Sequence, residues 1–221
     1  MIELDPQLRI PLPREFYARD PRRIARELLG KVLVKKNGRH FLAARLVEVE
    51  AYFGNDPAAH SFVGRTARNA VLFGPPGYAY VYFIYGNHYC LNVSCMPEGV
   101  GGGILFRAAE PLMGLEEMAR SRGLTLPADG ERFAGPRQLT SGPGRLAQAF
   151  SITRESHNGK DLTSARSGLF IADDGHRTRR ILITPRIGVT KAADRKLRYI
   201  IAENPFVSGP KVRKPTVVGC E

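Results

Sequence analysis

Two acidic residues stand two positions apart in the run LVEVEAY and are the first candidates for chemistry. Side chains alternate between the faces of an extended strand, so this spacing puts Glu48 and Glu50 on one face. The same alternation assigns Leu46 and Tyr52 to that face, and Val47, Val49 and Ala51 to the other. A carboxylate among apolar residues can act as a general base. The alternative is a strand face held by salt bridges.

A second candidate group is the run GYAYVYFIYGNHY, residues 77–89, which holds five of the eight tyrosines in a chain without tryptophan. Tyr78, Tyr80 and Tyr82 alternate onto one face of a strand, whereas Tyr85 precedes a Gly-Asn pair that favours a turn. An aromatic ring on the sheet can stack on a base, and one at a turn can fill the gap left by an extruded nucleotide. The alternative is an aromatic-rich core strand.

The two candidate strands bracket a loop, residues 53–77, that is rich in Gly, Pro, Asn and Arg. It carries His60, Arg65 and Arg68. Long ordered loops in compact domains are more often functional than idle. The loop therefore adds a polar edge and two cations to the candidate site.

The charge of the chain favours a polyanionic partner. Its 221 residues carry a formal net charge of +12, and residues 175–221 hold eleven Lys and Arg against three Asp and Glu. Such clustering predicts a surface that follows phosphates and whose binding weakens as salt rises.

The remaining composition narrows the class of protein. No run approaches the roughly 18 apolar residues that a membrane span needs, and the N-terminus has no apolar signal core. Three cysteines without a CxxC pair predict reduced thiols rather than disulfides or zinc. We expect no membrane association, no metal and no cofactor, and a cytoplasmic location, associated with the nucleoid if the source is bacterial.

Local patterns predict the elements that must position these residues. Asp20 as N-cap, Pro21 and Gly30 delimit a first helix. KVLVKK and residues 41–52 form strands around the Asn37-Gly38 turn, and residues 78–85, 89–95 and 103–108 form further strands.

Beyond these strands, EPLMGLEEMARSRG reads as a helix, residues 123–138 as a basic connection, and GPGRLAQAF as a helix capped by Ser141. Because the strands come as hairpins, we expect an α+β fold: a single domain over residues 1–221, with a curved, mainly antiparallel β-sheet flanked by helices. The candidate catalytic motifs fall in residues 46–107, and the basic part is residues 175–221.

Several motifs occur in an order that resembles a known family. The runs EVEAY, AAHS, RNAVLFGPPGYAYVYFIYG, LNVS, ILFRAAEP and SGPGRL resemble the alkyladenine (3-methyladenine) DNA glycosylases, the type without a helix-hairpin-helix. The match is close from about residue 20 to 115 and then thins to SGPGRL and PRIGV. It implies a monofunctional DNA glycosylase that extrudes alkylated purines such as 3-methyladenine and 7-methylguanine to start base excision repair, and it leaves open whether deaminated purines are also removed.

The resemblance also implies residue roles. Glu50 matches the acid that activates water, and Arg107 matches the arginine that helps to hold this water; the alternative for Arg107 is a salt bridge to Glu110. Hydrolysis passes through an oxocarbenium-like state, so a carboxylate beside the anomeric carbon takes the proton of water and offsets positive charge. Glu48 is then a neighbour without that role.

The implied base pocket is Tyr52, His60 and Tyr82, with Asn92 crowding the exocyclic amine of a normal guanine. Without the resemblance, His60 is interpreted as a structural histidine, and Asn92 as a strand asparagine bonded to a neighbouring loop. 

Tyr85 matches the tyrosine that wedges into the minor groove. Arg65, Arg68 and the start of the GPGRL helix, at Gly144 and Arg145, are the expected phosphate contacts.

The expected partner is double-stranded DNA containing damaged purines, bound by a monomer. Hypoxanthine and ethenoadenine are neutral bases and need protonation to leave. The sequence does not indicate whether this protein removes them. Two other classes remain: a non-catalytic basic RNA- or DNA-binding module that uses the tyrosines for stacking, and a hydrolase of free nucleosides.

Overall fold

The computed structural model describes residues 5–38, 40–84, 86–126, 134–210 and 216–219. Its α-helices are α1 (Arg14–Tyr17), α2 (Pro21–Leu28), α3 (Leu115–Arg122), α4 (Ala134–Thr140), α5 (Pro143–Ala149) and α6 (Arg154–His157), with short 3-10 turns at Pro6–Arg9, Ala70–Phe73 and Ala165–Ser167. Its strands are β1 (Val32–Asn37), β2 (His40–Phe53), β3 (Ala79–Ile84), β4 (His88–Ser94), β5 (Gly102–Met113), β6 (Leu169–Ala172), β7 (Arg180–Thr184), β8 (Arg198–Ile201) and β9 (Thr216–Gly219).

Helix α2 begins and ends where the sequence predicts. The side chain of Asp20 accepts a hydrogen bond of 2.8 Å from the backbone N–H of Arg22, and Pro21 occupies the first turn. Ile24 and Leu28 are fully buried. Gly30 has φ +89°, a conformation that disfavours other residues, so the chain turns there into β1.

In the described part of the chain, all strands pair in the antiparallel sense within one nine-stranded sheet. Strand β2 is its centre: β5 pairs along one edge of β2, and the other edge is shared by β1, opposite residues 40–45, and β8, opposite residues 48–50. The sheet continues through β5 to β4 and β3 and through β8 to β7 and β9. Helices α3, α4 and α5 contact one another, and α5 also packs on β4 and β5. The prediction of a single α+β domain with a mainly antiparallel sheet is confirmed, whereas the limits 1–221 and the subdivision at 46–107 and 175–221 stay predictions.

A bulge in β2 changes the predicted alternation. The pairing with β5 shifts register between Leu46 and Glu48 and again between Glu48 and Val49. Leu46 therefore packs in the same core cluster as Val49, while Val47 packs with Ala108 in a separate cluster. The assignment of Leu46 and Val47 to their faces was wrong, because a bulged residue reverses the period-2 pattern.

Three local predictions need correction. Residues 110–113 of the expected helix continue β5 instead, and α3 starts only after Gly114, which has φ +79°. Helix α5 has Gly142, not Ser141, as N-cap, because Ser141 forms a β-bridge with Ala108. The predicted connection 123–138 contains the start of α4, and its residues 127–133 lie outside the described ones.

Within the described residues no helix is both long and apolar enough to cross a bilayer. The thiols of Cys90 and Cys95 are buried and unpaired with one another, and Cys220 lies outside the described part of the chain.

Candidate active site

A cavity of about 790 Å³ opens beside β2, β3, β4 and β5, within the size range of ligand pockets. It gathers nine of the residues that the sequence nominates: Glu50, Tyr52, His60, Arg68, Tyr82, Asn92, Arg107, Gly144 and Arg145. Arg65 is exposed and does not line the cavity. Tyr85 lies outside the described residues. Ile84, the last residue of β3, and His88, the first of β4, line the cavity.

Glu50 is fully buried and held by three donors at the wall of this cavity. Its Oε1 accepts a hydrogen bond of 2.9 Å from the backbone N–H of Ile187 and lies 3.3 Å from Nη1 of Arg107. The hydroxyl of Tyr52 donates to Oε2 at 2.9 Å. These contacts compensate the lost hydration of the carboxylate and fix its orientation. Sequence reasoning missed Ile187, because a backbone group far along the chain leaves no residue-type signal.

Arg107 is anchored on its other side by Glu48. Its Nε donates to Oε1 of Glu48 at 2.9 Å, and Nε of Arg198 donates to the same oxygen at 2.6 Å. The backbone N–H of Ser208 donates to Oε2 at 2.6 Å. The alternative of an Arg107–Glu110 salt bridge is wrong: Arg107 pairs with the two acids of β2. Glu48 therefore has a structural role: its salt bridges hold the Arg107 guanidinium that contacts Glu50.

Aromatic side chains form the wall on β3. The rings of Tyr80 and Tyr82 lie 5.7 Å apart, and the His60 ring packs edge-on against Tyr82 at 4.4 Å. Nδ1 of His60 lies 2.9 Å from the Tyr80 hydroxyl. Burial, and secondly the charge of Arg68, lowers the pKa of His60, which favours the neutral ring. Tyr78 precedes β3, has Arg14 over its ring and is not among the lining residues.

Burial raises the pKa of both Tyr52 and Tyr82, so these phenols stay neutral at physiological pH. Asn92 sits opposite Tyr80 in the β3–β4 pair and donates its side-chain amide to the Tyr80 carbonyl at 3.1 Å. Cys90 lines the same wall, and burial raises the pKa of its thiol to about 11, which keeps it protonated.

A buried ion pair behind Tyr52 was not predicted. Asp56 and Arg186 are bonded to each other with no exposed side-chain surface, and the Arg186 guanidinium stacks on the Tyr52 ring at 4.5 Å. Arg186 does not line the cavity, so it covers the ring face turned away from it. Asp56 also accepts a bond of 3.1 Å from the N–H of Ala58, in the turn that leads to His60.

The mouth of the cavity is basic and includes the start of α5. Arg68, Arg145 and Lys191 line it. At Gly144 an added Cβ would lie 2.9 Å from the His88 ring, so only glycine allows this close approach of helix and strand. The arrangement can hold a flat ring between aromatic walls, with a fixed carboxylate beside it and cations at the entrance.

Comparison with known proteins gives one consistent result. The family model for methylpurine-DNA glycosylase matches residues 15–205. A relative from Koribacter versatilis is 60% identical over 202 residues, 91% of this chain and 94% of its own. One from Burkholderia lata is 45% identical over 215 residues, 95% and 98% of the two chains, and one from Carboxydothermus hydrogenoformans is 41% identical over 197, 89% and 98%. Each is named "Putative 3-methyladenine DNA glycosylase".

Proposed function

The chain belongs to the methylpurine-DNA glycosylase family, and from this premise we propose that it turns alkylated purines out of double-stranded DNA and hydrolyses their bond to the sugar. It is a DNA-3-methyladenine glycosylase, a hydrolase of N-glycosyl bonds that acts on DNA. What we add is the lesion class, the residue roles and the monomeric state. The lesion class and the residue roles rest on one observation: Glu50 shares one cavity with Tyr52, His60 and Tyr82.

Tyr52, Tyr82 and His60 receive the extruded base. Two neutral phenol rings present electron-rich faces, which attract a purine that is positively charged after alkylation on a ring nitrogen. His60 adds a polar edge without adding charge, because its lowered pKa favours the neutral form. The pocket therefore favours 3-methyladenine and 7-methylguanine.

Glu50 acts as the general base. Its carboxylate takes a proton from a water molecule while the water oxygen bonds to the anomeric carbon of the sugar. The electron pair of the breaking carbon–nitrogen bond goes to the alkylated base, which leaves as a neutral molecule. The negative charge of Glu50 also offsets the positive charge on the sugar in the transition state. The products are a free base and an abasic site, and protonated Glu50 returns its proton to solvent.

Arg107 orients Glu50 and the water. Its Nη1 lies 3.3 Å from the carboxylate while its Nε is held by Glu48. Asn92, whose amide is bonded to the Tyr80 carbonyl, crowds the exocyclic amine of a normal guanine and so disfavours undamaged DNA.

DNA contacts complete the proposal. Arg65, Arg68, Arg145 and the close backbone at Gly144 bind phosphates near the mouth, and Tyr85 fills the space left in the duplex. We place the enzyme in the cytoplasm, associated with the nucleoid if the source is bacterial.

A panel of duplexes, each with one lesion, tests the proposal by base release. We expect release of 3-methyladenine and 7-methylguanine without strand cleavage. No release from any alkylated duplex, or equal release from free nucleosides, would contradict it.

A further inference from the structure

Two adjacent exposed apolar side chains, one of which lines the cavity, have no part in the proposed chemistry. Phe62 is 48% exposed and Val63 is 76% exposed, and Val63 lines the cavity. They are adjacent in residues 60–69, which we name the rim loop. Contiguous exposed apolar surface at the entrance of a site is a candidate contact surface, whereas single scattered apolar side chains need no explanation.

The rim loop is braced from inside by Asn69, which is 3% exposed. Its side-chain amide donates to the carbonyls of His60 at 2.8 Å and Gly64 at 2.9 Å, and its Oδ1 accepts from the N–H of Thr66 at 2.6 Å. Both ends of the apolar tip are therefore fixed to one buried side chain. A rigid tip loses little conformational entropy when it binds.

The charges around the tip select its partner. Arg65 and Arg68 follow it on the same loop and are exposed, and the exposed Lys191 also lines the mouth. Apolar groups flanked by cations match a nucleic acid, whose charged phosphates alternate with sugars and base faces.

We propose that Phe62 and Val63 form a second apolar contact with the duplex, against the unstacked bases and sugars that flank the extruded nucleotide. Arg65 and Arg68 hold the adjacent phosphates. This inference rests on the proposed function, since it assumes an extruded nucleotide in the cavity. It assigns to the rim loop a role separate from the one proposed for Tyr85.

The test is equilibrium binding to a duplex and to a single strand that carry the same tetrahydrofuran abasic analogue. The variant is F62A/V63A, and Ile10→Ala is the matched control because Ile10 is 69% exposed and does not line the cavity. We expect about tenfold weaker duplex binding for F62A/V63A, in the range of a lost stacking contact, and a change of about twofold or less for the single strand.

Salt dependence separates the apolar contact from the phosphate contacts. The slope of log Kd against log salt stays unchanged in F62A/V63A, whereas Arg65→Ala reduces it by about one. Duplex binding no weaker than in Ile10→Ala, or an equal loss for duplex and single strand, overturns the inference. Because binding to the analogue needs no catalysis, a wild-type protein that releases no base contradicts the proposed function without deciding this test.

Discussion

The backbone amide of Ile187 donates a hydrogen bond of 2.9 Å to Oε1 of Glu50, which lies 137 residues earlier in the chain. This bond joins the basic C-terminal part to β2, the strand that carries the proposed general base. Arg186, which precedes Ile187 in the chain, contacts Tyr52 and Asp56. Residues 186–187 therefore support both Tyr52 and the Glu50 carboxylate, and changes in that segment affect both.

Replacement Asp56→Asn leaves the Arg186 cation buried without its counter-charge. Loss of one partner of a fully buried pair costs about 3 kcal/mol of unfolding free energy. We also expect slower base excision at a temperature where the variant is folded, because Tyr52 and the Ile187 amide rest on this pair. Urea unfolding and single-turnover kinetics measure the two effects.

Asp174→Asn is the matched control. Its pair with Arg45 is partly exposed, at 18% and 14%, and is not in the cavity. We expect this control to lose about 1 kcal/mol of unfolding free energy at most and to keep its excision rate. Equal kinetics of the two variants would show that the Asp56–Arg186 pair serves stability alone.

Arg68→Ala raises the pKa of His60. The positive charge of Arg68 is the second cause of the lowered pKa, after burial, so its removal favours the protonated ring. As the pH is lowered, excision of cationic bases therefore begins to decline at a higher pH than in the wild type, because the imidazolium form of His60 repels the base. NMR titration of the His60 ring measures the pKa, and an unchanged or lower value would contradict this electrostatic account.

His157 makes the fold sensitive to acid. Burial is the main cause that lowers its pKa to about 4, and its Nδ1 lies 2.6 Å from the Ser156 hydroxyl. As the pH is lowered, His157 is protonated first in the unfolded chain, where its pKa is about 6.5. The contribution of neutral His157 to the free energy of unfolding is therefore complete above that pH and falls until about pH 4. The loss reaches about 2 kcal/mol at pH 5. Denaturation at pH 7.5 and pH 5 measures it, and His157→Asn, which keeps an acceptor but does not titrate, should lack this component.

Tyr85→Ala lowers excision from duplex DNA more than from single strands, because a single strand has less stacking to replace. About tenfold in duplex is the expected effect. Single-turnover rates on both substrates measure the difference. An equal loss on duplex and single-stranded DNA would indicate that Tyr85 contacts the extruded base instead of filling the gap in the DNA duplex.

Local patterns predicted the elements whose causes are local. Three of these predictions depend only on neighbours within a few residues: the N-cap at Asp20, the turn at Asn37-Gly38, and the placement of Glu48 and Glu50 on one strand face. The bulge beside Glu48 and the extension of β5 through Met113 depend on partner strands, so sequence periodicity assigned them wrongly.

The candidate site divides in the same way. Tyr52, His60, Tyr82 and Asn92 line one cavity, in agreement with the motifs that nominated them. The Ile187–Glu50 bond and the Asp56–Arg186 pair were not predicted, because they form between distant segments and the match at PRIGV assigned no role to Arg186 or Ile187.

The direct test of the central claim is single-turnover release of 3-methyladenine by Glu50→Gln. The variant keeps the shape of the side chain but cannot take a proton from water. We predict a rate at least about 10²-fold lower than that of the wild type, with unchanged affinity for lesion-bearing duplex. A rate equal to that of the wild type would contradict the role of Glu50 as the general base.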